Sequence, residues 1–348
     1  MTIAYIIPSL LQAGPVNVVY DLVQLMLEHG HDCDLYYFDD LDVNNQFPCK
    51  VTKINMRSHI DFNKYDIVHT HGLRPNIFVF LHKPYKKIKT LFITTFHNYV
   101  FEDFVLKYGR IKGYLGGYLF LFTAIRHDRI IALSKDAMIY YKKWYRANKL
   151  YYIYNTRIID INEHLTSEEE SEIKNFKGNS TLIGVNCSIH PRKGLDLLIK
   201  AMQQLPNNYK LFVAGDGVDY HKMVQLVKDL NIEDRVLLAG RKSKAHRYLA
   251  YYDIYAIPSR SEGFPLSLLE AACFGKKVVC SDIPVFKETF SDKEVSMFKL
   301  PDVNDLTRAI IEADKRVDLE KNIKKKFDST YSPEYFYKNH YRVYTETL

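Results

Sequence analysis

The sequence predicts an α/β protein of two doubly wound, Rossmann-like halves. Three observations carry that reading. Apolar runs of strand length alternate with segments of helical periodicity, and the alternation starts again near residue 180. Several runs end at a Gly or a His, where sheets of this class line a ligand crevice. The 348 residues are enough for two domains of ordinary size.

Taken in order, residues 3–7 read as a buried strand and 8–15 as a loop containing Gly14. Residues 16–29 are apolar at 16, 19, 22, 23 and 26, a helix stopped by Gly30. Residues 33–38 form the next strand. Residues 66–71 (DIVHTH) and 91–96 are strands ending at Gly72 and His97. Residues 103–127 are basic, aromatic and interrupted by glycines. They read as a helix pair whose apolar side is core. The basic side is either simply solvated or an interfacial membrane contact. Residues 128–134 and 151–155 supply the last strands of this half.

Residues 162–178 are acidic and polar and read as a linker. Beyond it, 181–187, 210–215, 236–239 and 253–257 are strands, with helices at 194–204, 220–230 and 302–313. An aromatic helix at 333–347 closes the chain. The expected divisions are residues 1–160, a linker at 161–179, a second domain at 180–330 and a terminal segment at 331–348.

Hydrophobic residues make up 47% and charged residues 26%, the balance of a soluble globular protein. The five cysteines are odd in number and form no C-x-x-C, which fits reduced thiols in the cytoplasm rather than a disulfide framework or zinc site. No signal peptide is visible, and no apolar run approaches the roughly 18 residues of a membrane span. The net charge is +7, yet between Lys83 and Lys149 stand 14 basic residues against 4 acids. That surplus fits an anionic membrane surface. Nucleic acid is disfavoured because no recognition motif accompanies the charge.

The most informative stretch is YAIPSRSEGFPLSLLEAACFGKKVVCSDIP, from Tyr255 to Pro284. It reads strand, loop, helix, strand. Pro265 suits the first helical position, and Leu266, Leu269, Ala272 and Cys273 recur at helical spacing before Gly275. Ser261, Glu262, Gly263 and Phe264 therefore sit on a loop feeding a helix N-terminus, which attracts phosphate. Glu262 and Glu270 flank that anion site. A carboxylate there suits neutral partners such as sugar hydroxyls, although each glutamate alone is equally a dipole-favoured or solvated helix residue. The segment from His190 to Gly194 (HPRKG) also opens a helix, and it sets Arg192 and Lys193 to meet the same anion. His69 and His71 share one face of a strand, a chelating arrangement for which no third ligand is evident. Asp40-Leu-Asp42 has D-x-D form but reads as solvated acids of a polar turn.

The long stretch closely resembles the E-x7-E signature of family 4 glycosyltransferases of the GT-B fold, here Glu262-GFPLSLL-Glu270. That resemblance implies two Rossmann-like domains facing across a cleft, with the last helix crossing back to the first. It implies a retaining, metal-independent transfer of a hexose-type sugar from a nucleotide diphosphate donor, most commonly a UDP-sugar. The acceptor would be a glycan or lipid-linked glycan of a bacterial surface polysaccharide, with the enzyme in the cytoplasm, on the inner face of the membrane. By the same resemblance Glu262 takes the donor sugar's hydroxyls and Glu270 the ribose hydroxyls. Lys193 and Arg192 meet the diphosphate, and His97 contacts the reacting sugar. Gly14, Gly215, Asp216, Gly217 and Arg241 approach the nucleotide, and Ser261, Gly263, Phe264, Pro265 and Leu266 carry the phosphate-binding turn. No cofactor is implied besides the nucleotide-sugar co-substrate.

Two departures stand out. The glycine pair of the first loop is Ala13-Gly14, and the Arg usually found about six residues before the lysine is Cys187. A dinucleotide dehydrogenase shares the α/β pattern, but the first loop lacks G-x-G-x-x-G. A non-catalytic sugar-nucleotide or glycan binder of the same fold remains the alternative.

Overall fold

A computed structural model describes residues 1–11, 14–40 and 46–346. Ala13 and Asp42 lie outside the described residues, and with them the glycine-pair departure and one acid of the D-x-D motif. The chain divides into two units: residues 1–158 with 332–348, and residues 159–331.

The first unit is a seven-stranded parallel sheet. Its strands are β1 (Thr2–Ser9), β2 (Asp32–Asp39), β3 (Lys50–Lys53), β4 (Ile67–His71), β5 (Leu91–Phe96), β6 (Arg129–Ala132) and β7 (Leu150–Tyr152), ordered β3-β2-β1-β4-β5-β6-β7. The inner strands are covered on both faces, so Ile3 to Ile7 are wholly buried and read as one apolar run. The order reverses between β1 and β4, which pair in register from Ile3 with Ile67 to Ile6 with Thr70. Gly14 is the first residue of the helix Gly14–Glu28 rather than part of the preceding loop.

The helix Pro333–Thr345 belongs to this unit. It is fastened by the buried Arg129, whose guanidinium donates to the carbonyls of Val343 and Glu346. Tyr344 is fastened too, with its hydroxyl 2.7 Å from His69 Nδ1.

The second unit is a six-stranded parallel sheet of β8 (Thr181–Asn186), β9 (Tyr209–Ala214), β10 (Val236–Leu238), β11 (Ile254–Ile257), β12 (Lys277–Ser281) and β13 (Ser296–Phe298), ordered β10-β9-β8-β11-β12-β13. Its core is built from the inner faces of these strands and the helices Leu195–Gln204 and Val303–Lys315. The order reverses between β8 and β11. At such a switch point two loops diverge from neighbouring strand ends and leave a ligand crevice.

The expected linker is corrected in part. Residues Ser167–Lys177 form a helix, and it starts with a capping box. The Thr166 hydroxyl accepts from the Glu169 N–H, and the Glu169 carboxylate accepts from the Thr166 N–H. Ions hold this helix to its own unit: Glu172 pairs with Lys242 at 2.6 Å and Glu169 with Arg247 at 3.1 Å. Its polar sequence is that of a helix with a single buried turn, at Ile173.

Candidate active site

Two loops leave the switch point of the second unit, residues 187–194 after β8 and 258–265 after β11. They are laced together. Gly194 has φ +67°, and a Cβ there would stand 2.0 Å from the Pro258 carbonyl oxygen, so only glycine permits the approach. The Arg260 N–H donates to the Arg192 carbonyl at 2.7 Å. The Arg260 guanidinium donates twice to Asp196, both bonds 2.8 Å, and once to the Pro191 carbonyl at 2.6 Å.

This lacing sets two cations against one buried carboxylate. Glu262 is 6% exposed. Its Oε1 accepts from Lys193 Nζ at 2.6 Å and from the Ser259 hydroxyl at 2.7 Å. The Arg192 guanidinium stands 4.0 Å from its Oε2. Burial pulls the Glu262 carboxyl toward its neutral form. The Lys193 charge, then the Arg192 charge and the two hydrogen bonds outweigh burial, and they hold Glu262 below the usual carboxylate range. The lysine ammonium has three N–H donors, and one goes to Glu262. The cluster is therefore an ionised carboxylate, an acceptor for hydroxyls, beside two cations able to take an anion.

The neighbouring residues define the rest of the crevice. Cys187 holds the place where the sequence departs from the family's arginine. Burial pushes its thiol up to about 11 even with Lys193 opposing, so it adds no charge. Arg260 is committed to Asp196, which leaves Arg192 as the second cation facing Glu262. Glu270 lies in the helix Leu266–Cys273. Burial and then the Glu270 charge push the Tyr255 hydroxyl up. That hydroxyl in turn donates to the Asn186 carbonyl at 3.2 Å, at the end of β8. Glu270 thus lies close enough to Tyr255 for its charge to act on that hydroxyl.

The helix begins at Leu266, one residue later than expected. Pro265 is its N-cap, with extended backbone. Ser261 is half-buried, whereas Gly263, Phe264 and Pro265 are buried. The Phe264 ring lies 6.1 Å from that of Tyr331.

The loop Gly215-Asp216-Gly217 packs on the loop after β8. A Cβ at Gly215 would stand 1.8 Å from the Cys187 carbonyl oxygen, and one at Gly217 2.3 Å from that of Ile189. The Ile189 N–H donates to the Asp216 carbonyl at 2.8 Å. We expect Gly215→Ala to cost about 1–3 kcal/mol, as overpacking does, and to part the two loops. An unchanged denaturation midpoint would contradict the close packing. Arg241 is exposed on the loop after β10, and its neighbour Lys242 is held by Glu172.

The amino-acid sequence is 34% identical over 300 residues to the O-antigen biosynthesis glycosyltransferase WclY of Escherichia coli, covering 83% of this chain and 82% of that one. The family models "Glycosyl transferases group 1" and "Glycosyltransferase Family 4" match residues 166–328 and 13–157. The chain belongs to glycosyltransferase family 4.

Its fold is GT-B, shared with solved structures of low sequence identity. Anabaena Alr3699/HepE, solved in complex with UDP-glucose, superposes with a TM-score of 0.80 at 17% identity, covering 100% of both chains. WaaG, a glycosyltransferase involved in lipopolysaccharide biosynthesis, superposes with a TM-score of 0.75 at 15% identity, covering 99% of this chain and 100% of that one.

In this family 4 glycosyltransferase the first unit carries a second cluster, at the C-terminal ends of β4 and β5. His97 is half-buried, and its Nε2 lies 2.9 Å from His71 Nδ1. His69 and His71 do share one side of β4, with ring centroids 4.3 Å apart. Both nitrogens of His69 are nevertheless taken by the protein, by Tyr344 at 2.7 Å and by Thr95 at 2.8 Å. Among the described residues no three His, Cys, Asp or Glu side chains are grouped to hold a metal. His71 Nε2 is buried without a hydrogen-bond partner. Burial lowers His97 to about 4, so the imidazole is neutral at physiological pH.

The sequence reading passed over Ser259 and Arg260, although both lie within the SRSEG segment. The structure shows that Ser259 bonds the catalytic candidate Glu262 and that Arg260 fastens its loop. The signal available for each was position alone, three and two residues before a motif carboxylate.

Proposed function

We propose that the protein is a retaining hexosyltransferase that moves a sugar from a nucleotide diphosphate donor, a UDP-sugar by preference, to a glycan or lipid-linked glycan acceptor. The setting we infer is O-antigen or related surface-polysaccharide synthesis at the inner face of the cell membrane, with contact to anionic lipid through the region between Lys83 and Lys149. The observation that carries the reading is the pairing of buried, ionised Glu262 with Lys193 and Arg192 at the switch point of the second unit. The name of the E. coli relative and the UDP-glucose complex of the Anabaena structure support the setting and the donor.

In this reading the diphosphate rests against Lys193 and Arg192, and Glu262 accepts hydrogen bonds from the departing sugar's hydroxyls. The bond from the anomeric carbon to the leaving phosphate oxygen breaks, and the charge growing there is met by the two cations. The acceptor hydroxyl attacks from the same face, and its proton passes to a leaving-phosphate oxygen. Neither a protein nucleophile nor a metal is required. Glu270 holds the ribose, and Gly215, Asp216, Gly217 and Arg241 border the nucleotide. The acceptor is assigned to the first unit, with neutral His97 contacting the reacting sugar.

A thermal-shift panel of nucleoside diphosphates and their sugars tests this reading. A ligand at a hundred times its Kd adds about 2.7 kcal/mol. For a unit of this size that is on the order of 5–10 °C. We expect UDP and one UDP-sugar to give the largest shift. No shift with any nucleoside diphosphate would overturn the donor assignment, and would leave a glycan-binding role for the fold.

A further inference from the structure

The ends of β4 and β5 hold two imidazoles in direct contact. His71 is the last residue of β4, and His97 follows β5. His71 Nδ1 lies 2.9 Å from His97 Nε2. Burial holds His97 at about 4 and His71 well below the histidine range, so both rings are neutral at physiological pH. A neutral imidazole carries one N–H and one bare nitrogen. Between the two rings, therefore, one nitrogen donates and the other accepts.

The far nitrogen of His71 decides which. His71 is 2% exposed, and its Nε2 is buried with no hydrogen-bond partner. If His97 Nε2–H were the donor, the His71 proton would sit on Nε2, as a buried N–H with no acceptor. If His71 Nδ1–H is the donor, Nε2 keeps only a bare lone pair. In folded backbones an orphaned N–H is rarer than an under-satisfied acceptor, and the same desolvation logic favours the second arrangement here.

The rings are held in place for that bond. His69 packs on His71 with centroids 4.3 Å apart, and both nitrogens of His69 are fixed, by Tyr344 and by Thr95. His97 packs on the same ring, with centroids 5.2 Å apart. The proton placement on His97 follows. Its Nε2 accepts from His71, so its own proton is on Nδ1. Among the described residues the contact with His71 is the one hydrogen bond of the His97 ring, and that ring is half-buried. Its Nδ1–H is left for a ligand or water.

We propose that His71 is a positioning residue: it fixes His97 in the Nδ1–H tautomer, so that His97 offers its ligand a hydrogen-bond donor and no free base. The inference rests on the reading that His97 contacts the reacting sugar, and it says how. A ring held this way donates to a sugar oxygen. It takes no proton from the attacking hydroxyl, because the lone pair that could do so is occupied by His71. That proton is left to the departing phosphate oxygen.

Long-range proton–nitrogen correlation spectra of the full chain, with isotope-labelled histidine and no nucleotide, read the tautomer directly. The His97 signals are those that disappear in His97→Ala. We expect Nε2, the nitrogen coupled to both ring carbon protons, to resonate as unprotonated and Nδ1 as protonated. His71→Asn keeps a side-chain N–H where Nδ1 stood and should keep this tautomer. His71→Leu should release His97 into a mixture and lower kcat about tenfold, the worth of one neutral hydrogen bond, with the donor KM changed less than about twofold. His71→Asn should recover most of that kcat, although it too removes the buried imidazole. A wild-type His97 protonated at Nε2 would overturn the proposal, and that result needs no variant to fold. So would a His71→Leu protein that keeps the wild-type tautomer, or a His71→Asn protein that recovers nothing. With the tautomer as stated and released in His71→Leu, an unchanged kcat would instead defeat the reading that His97 contacts the sugar.

Discussion

Lys193→Ala is expected to lower kcat by at least about 10²–10³, the usual loss when one group stabilising a developing anion is removed. It should also lower stability, for a separate reason. Glu262 is buried, and its shortest ionic contact is the 2.6 Å bond to Lys193. Breaking one side of a buried pair leaves an uncompensated charge, which costs about 3–5 kcal/mol. The Ser259 hydroxyl and Arg192 still face the carboxylate, which puts the expected loss at the lower end, about 3 kcal/mol. Removing the carboxylate as well, in Lys193→Ala with Glu262→Ala, should return most of that stability, because nothing charged is then left buried. It should not return activity. Denaturant unfolding and steady-state kinetics on the single and double variants separate the two roles. If turnover recovered along with stability, the pair would be a structural ion pair and the site assignment would be wrong.

The two halves were legible for a physical reason. Parallel strands covered on both faces favour continuous apolar runs, and β1, β9 and β11 show them, whereas β4 and β5 bury His and Thr among their apolar residues. Short outer strands carry too little apolar sequence to stand out. β3 is mostly exposed and β13 is three residues long, and neither appeared in the reading. The segment from Thr166 to Glu169 held a capping-box pattern that outweighs its acidity as a guide. At the site, the resemblance pointed to Glu262 and Lys193 but not to their direct bond. That bond depends on Gly194 letting one loop touch Pro258 of another, a contact between residues 64 positions apart. The uncovered side of the helix Arg110–Ala124 was hidden differently. It is apolar, with Ile111, Leu115, Tyr118, Leu119 and Phe122 exposed, which corrects the expectation of a basic face. Periodicity shows that a helix has two apolar sides, and only the packing shows which one the protein covers.

The first unit should lose stability steeply as pH falls below about 6.5, the ordinary histidine value. Four imidazoles in it are buried: His69, His71, His127 and His340. Burial is the first cause in each, and it holds His127 at about 3, His340 at about 4, and His69 and His71 well below the usual range. A base whose folded pKa is depressed stays neutral in the native state while the unfolded chain takes up a proton. The unfolded state then binds more protons, so stability rises with pH across the window between the two values and falls on acidification. At pH 5.5 each such group costs about 1.4 kcal/mol, hence roughly 6 kcal/mol for the four. That is comparable with the whole stability of an ordinary domain. Glu262 acts in the same direction in the second unit, but only as pH falls below the ordinary carboxylate range, because its ionised form is the favoured one there. Trp144, the only tryptophan, lies in the first unit and reports that unit's unfolding by fluorescence. Urea midpoints followed at Trp144 should therefore drop sharply between pH 7.5 and 5.5. A midpoint flat across that range would mean that these histidines are not held neutral in the folded chain.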